Sequence, residues 1–140
     1  MRTIKFRAKA HRVNGDIWIY GDLRHHKGDV CIFKQGGNSG EQVNRDTIGQ
    51  FTGLYDGNDK EIYEGDIVEV TNLRLEGFGR KMLAQIVYDE DLACFNFKAL
   101  DRERCMATSI PDVIIEVIGN IHDNPDLITF KIDTHKEDKE

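Results

Sequence analysis

Lys5, Arg7 and Lys9 recur at every second position, so an extended strand carries all three on one face. With Trp18, Tyr20 or Phe33 accessible beside them, and Arg2 and Arg12 nearby, such a row would hold single-stranded nucleic acid by charge and stacking. The same row equally suits the solvent face of a half-buried strand, where lysine discourages edge pairing. Glu61, Glu64, Asp66 and Glu69 form a second concentration of chemistry. Two carboxylates facing across a cleft could hydrolyse a glycosidic bond, but no feature of the sequence marks a substrate cleft. A solvated acidic edge explains them as well. His25, His26, Cys31 and His11 match none of the close spacings of zinc sites. The Asp56-Gly57-Asn58-Asp59 run fails as a calcium loop, because its sixth and twelfth positions are Glu61 and Ile67. Cys31 and Cys94 sit among apolar neighbours as small core residues do, and Cys105 lies near Arg102 and Arg104. No Cys–His signature, Walker A loop or dinucleotide glycine motif is present. The reading is non-enzymatic, with no catalytic residue, no metal and no cofactor expected.

The 140 residues suit one domain, or two very small ones. A chain of this size needs no disulfide or metal to fold. Three widely spaced cysteines and no signal-peptide core lead us to expect reduced thiols and a cytoplasmic location. No apolar run approaches the roughly 20 residues of a membrane helix, and no membrane partner is expected. The formal net charge of -6 argues against a protein that coats nucleic acid with its whole surface. That charge is uneven: residues 1–37 hold eight basic and three acidic side chains, residues 38–140 eleven and twenty-two. The segments therefore carry +5 and -11. Such a dipole would support self-association, unless folding intermixes the two segments.

Placing these residues requires strands. Residues 3–10 alternate strictly, and Asn14-Gly15 is a tight-turn pair before a second strand at 16–23, so the two predict a hairpin. A third strand is expected at 30–33 and a loop at 35–42. Strands at 47–54 and 61–63 flank the Asp56–Asp59 turn. Gly65-Asp66 opens a β-branched strand at 67–70, a loop follows over 72–81, and strands are expected at 82–89, 93–100 and 113–118. Residues 101–111 read as either loop or helix. Asn124-Pro125-Asp126 starts a helix that the β-branched and aromatic residues 129–132 keep short. Twelve of thirteen glycines fall between Gly15 and Gly79, a turn-dense stretch.

Four segments in order have a further meaning. They are Ile4-Lys5-Phe6-Arg7-Ala8, Gly49-Gln50-Phe51-Thr52-Gly53-Leu54, Glu61-Ile62-Tyr63-Glu64-Gly65-Asp66-Ile67-Val68, and Glu116-Val117-Ile118-Gly119-Asn120-Ile121 with Asn124-Pro125. Together, over about residues 1–128, they resemble the YopX-like family of phage and prophage proteins. The resemblance implies a small, mostly β protein and carries no agreed catalytic or binding residues. The sequence departs from it at Lys9, where many members have an aromatic after Ala8.

The expected fold is mainly β with little helix: an N-terminal β-hairpin and sheet region packed with a C-terminal SH3-like or pseudo-barrel region. Residues 1–130 would form a single domain, with a subdivision near 55–65 left open, and 131–140 a charged tail. The expected function is a self-associating protein-interaction module, a homo-oligomer with no protein partner named. The alternative is an accessory nucleic-acid binder using Lys5, Arg7, Lys9, Trp18 and Tyr20.

Overall fold

The computed structural model describes residues 1–72, 81–100, 105–107 and 113–128. The expected loop over 72–81, the ambiguous 101–111, the residues 129–132 that limit the helix, the tail at 131–140 and the side chain of Cys105 lie outside the described residues, wholly or in large part. The chain is mainly β and falls into two compact units, residues 1–53 and 54–140.

In the first unit β1 (Phe6–Ala10), β2 (Ile17–His26), β3 (Asp29–Phe33), β4 (Gly40–Gln42) and β5 (Gly49–Tyr55, which runs on into the second unit) take the order β4-β3-β2-β1-β5. The expected hairpin is present, with Lys9 opposite Trp18 and Arg7 opposite Tyr20. Its apolar face works as the alternation requires: Ala8 and Ala10 are fully buried against Val30, Ile32 and Val43, with Phe6 and Ile19 packed around them. β2 pairs with β1 over its first half and with β3 over its second. The changeover falls at Gly21, where a Cβ would stand 2.0 Å from the Phe33 carbonyl oxygen.

Two expectations are corrected here. Residues 35–42, read as loop, contain β4, which pairs with β3 and is extended by the Val43 N–H to the Val30 carbonyl at 3.1 Å. Gly40 permits it, because a Cβ there would sit 2.2 Å from the Phe33 ring. The strand expected from Thr47 begins at Gly49, after a 3-10 turn over Arg45–Thr47. The Thr47 hydroxyl accepts the Lys9 N–H at 2.8 Å and donates to the Asn44 carbonyl at 2.7 Å, so this turn completes the ladder of β1.

In the second unit β6 (Glu61–Tyr63) precedes an antiparallel sheet of β7 (Asp66–Asn72), β8 (Lys81–Asp89), β9 (Cys94–Ala99), β10 (Cys105–Ala107) and β11 (Val113–Asn120), in the order β10-β9-β8-β7-β11. The sheet is open; no closed barrel is found among the described residues. Its core is Ile62, Val68, Val70, Ala84, Ile86 and Phe97. Buried polar groups pin the connections. Asp66, 1 % exposed, accepts the Tyr63 N–H at 2.7 Å. Gly65, at φ 93°, donates to Ile86 and accepts from Ile121.

The outer edge of β11 is closed by the expected hairpin turn. Asp56 accepts the N–H groups of Asn58 (2.8 Å), Lys60 (2.9 Å) and Val117 (3.0 Å), and Gly57 donates to the Ile115 carbonyl. An edge strand satisfied in this way offers little backbone for strand addition.

A helix begins after Asn124, as the sequence predicts, and its described residues are 125–128. The Asn124 side chain turns back to accept the Asn120 N–H at 3.2 Å. A Cβ on Gly119 would lie 2.4 Å from the same Oδ1. Gly119→Ala is therefore expected to displace Asn124 and cost about 1–2 kcal/mol through the lost hydrogen bond. Thermal melts of wild type and variant measure it, and an unchanged Tm would contradict the packing.

Candidate functional site

β1 delivers Arg7 and Lys9 to one face, Lys5 lies just before its first residue because the strand expected from Thr3 begins at Phe6, and β2 places Trp18 and Tyr20 beside them. The face is not the open solvent surface the nucleic-acid expectation needs. Arg7 is only 6 % exposed, and Lys5 and Lys9 are half-buried. The cations lie on the protein's own rings. The Arg7 guanidinium is 4.5 Å and the Lys9 ammonium 5.4 Å from the Trp18 centroid, and Lys5 lies 5.4 Å from that of Phe51. These are cation–π contacts, and the charge occupies ring surface that a base would need for stacking. Tyr20 is the open aromatic of the set, at 45 % exposure. The structure thus brings the five residues together and shows their cation–aromatic pairs. The sequence missed Phe51, whose place beside Lys5 depends on the β1–β5 register (Phe6 opposite Gln50).

Further along β2 the basic residues are exposed. The hairpin tip carries Arg24, His25, His26 and Lys27, all at the surface, and Arg24 stacks 4.2 Å from the Phe33 ring. On the same unit an open cleft of about 480 Å³ is lined by Ile19, Tyr20, Ile32, Lys34, Ser39 and Glu41. Arg12 pairs with Glu41 at its border. The hydrogen bond with Arg12 holds the Glu41 carboxyl below its ordinary value and the Arg12 guanidinium above its own. The histidine and cysteine candidates are spread out: His11 contacts Asp16 at 3.1 Å in the first turn, while His26 opposes Asp29 and Cys31 opposes Arg24. Among the described residues no three His, Cys, Asp or Glu side chains converge as metal ligands.

The carboxylates of the second unit take structural roles. Asp66 holds the Tyr63 N–H, and Glu61 accepts the Tyr63 hydroxyl at 3.1 Å. Asp56 is buried, which alone would raise its carboxyl. The N–H donors of Val117, Lys60 and Asn58 and the Lys60 charge outweigh burial and hold it below its ordinary value. On the outer face of the sheet Glu116 stands directly opposite Glu69, which Lys81 approaches at 3.6 Å. Ile114 and Ile118 flank Glu116 at 49 % and 41 % exposure, and Ile118 is the extra residue of a β-bulge.

The charge imbalance of the sequence follows the division of the fold. Residues 1–53 hold nine basic and five acidic side chains, a net of +4, and residues 54–140 ten and twenty, a net of -10. Folding keeps the two populations on separate compact units.

The family model for YopX protein matches residues 5–129. The chain belongs to the YopX family. A solved structure of protein EF1440 from Enterococcus faecalis is 27 % identical, covers 91 % of this chain and 99 % of its own, and superposes with a TM-score of 0.46. No curated protein matches. The segments that carry the YopX resemblance include the structural pins described above: Gly65 and Asp66 at the entry to β7, and Gly119, Asn120 and Asn124 at the exit from β11.

Proposed function

We propose that this YopX-family protein is a non-enzymatic interaction module that self-associates, acting in the cytoplasm of a cell carrying a phage or prophage. The observation that carries this reading is the separation of charge into a +4 unit and a -10 unit. Opposite fields on separate surfaces steer copies together and favour unlike contacts over like ones. Exposed apolar side chains beside the acidic groups, Ile114 and Ile118, add surface that association would remove from water. Light scattering over a concentration series at low salt tests the reading. The expected result is a mass that rises with concentration; a monomer at the highest concentration reached would refute it.

The nucleic-acid reading draws its support from the Lys5, Arg7 and Lys9 row beside Tyr20. It is the weaker reading because Arg7 is buried and the cations already lie over Trp18 and Phe51. Its test is salt-dependent retention of a single-stranded oligonucleotide, where absence of binding at low salt removes it.

A further inference from the structure

We infer that association is head-to-tail: the basic tip of the β2–β3 hairpin in one copy docks on the outer face of β11 and β7 in a second copy. The inference rests on the self-association reading and assigns surfaces to it. The donor surface is Arg24, His25, His26 and Lys27, four consecutive exposed residues at the end of a hairpin. The acceptor surface is Glu116 with Ile114 and Ile118, and Glu69 behind it.

Three observations join them. The charges are complementary, and they belong to units of opposite net charge. Glu116 and Glu69 oppose each other directly across the ladder, and Lys81 approaches Glu69 at 3.6 Å, so Glu116 is the carboxylate of the pair that an incoming cation would meet. The backbone edge of β11 is already closed by Asp56 and Gly57, so a partner reaches this strand through its side-chain face and not by strand addition. Ile114 and Ile118 supply the apolar contact on either side of the charge. Donor and acceptor are different residues on different units, so the interface is heterologous, and each copy presents one of each.

Two variants separate the halves: Arg24→Glu with Lys27→Glu, and Glu116→Lys with Ile118→Lys. Each alone is expected to self-associate about tenfold more weakly or worse, since reversal replaces attraction by repulsion. Mixed in equal amounts, they bring one intact donor to one intact acceptor, and the two reversed surfaces are again of opposite charge, so the mixture is expected to recover association that neither variant shows alone. That recovery also shows that both variants are folded. Sedimentation velocity reads all three samples beside the wild type. If wild type and both variants assemble alike, or if mixing restores nothing, the assigned surfaces are wrong while self-association stands. If wild type is monomeric throughout, the self-association reading falls and this assignment falls with it.

Discussion

Asp56→Ala is expected to destabilise the protein by about 3 kcal/mol, near the sum of several lost hydrogen bonds to a charged acceptor. For a chain of this size that corresponds to a fall in Tm of roughly 6–12 °C. The reason is the number of groups one carboxylate serves. Its two oxygens accept from Asn58 and Lys60 within the turn and from Val117 on β11. Removing it leaves the Val117 N–H without its acceptor at a half-buried position and releases the turn that closes the β11 edge. Asp56→Asn keeps one carbonyl oxygen and is expected to cost about half as much.

The same carboxylate makes stability depend on pH. Its folded value lies below the ordinary one, because backbone donors outweigh burial. The stabilisation is complete above the unfolded value of about 3.9 and is lost as pH falls through the lower folded value. The gap in Tm between wild type and Asp56→Asn should therefore be constant near neutral pH and narrow as pH drops below about 4. Melts of both proteins across that range check it; a gap that widened on acidification would contradict the assignment.

Gly21→Ala is the second large effect, also about 3 kcal/mol, at the upper end of what overpacking costs. The added Cβ would meet the Phe33 carbonyl oxygen at 2.0 Å, and that neighbour is backbone. Relief requires β2 and β3 to separate at the point where β2 passes from one partner to the other. Gly57→Ala is the control. Its Cβ would meet Ile114 and Ile115 at an ordinary 3.6 Å, so a change within about 0.5 kcal/mol is expected. Chemical denaturation of the pair measures the difference; equal midpoints would show that Gly21 is not confined by Phe33.

These two residues also mark how far the sequence could be read. The β1–β2 hairpin was legible because alternation and an Asn-Gly turn are local signals, and the strand at Glu61–Tyr63 was expected at the bounds observed. Gly21 was not legible: it lies inside an apolar strand pattern, and its need for no side chain comes from a carbonyl twelve residues away. Asp56 read correctly as a turn residue, while its bond to Val117 spans 61 positions and leaves no trace in local composition. β4 was missed because its three residues are glycine and polar, and its strand character comes from pairing with β3. At the candidate site the basic row was visible as spacing, but the burial of Arg7 follows from cross-strand register against Trp18 and Tyr20. The charge asymmetry was legible as arithmetic; that it follows the boundary between two compact units needed the division at residue 53.

We propose that the charge division between the two units draws copies of the chain together. Sedimentation velocity of the full chain at about 0.01 M and at about 1 M salt tests it most directly, because the screening length falls from about 30 Å to about 3 Å. Assemblies at low salt that dissociate to monomer at high salt are expected. A monomer at both ionic strengths would contradict it.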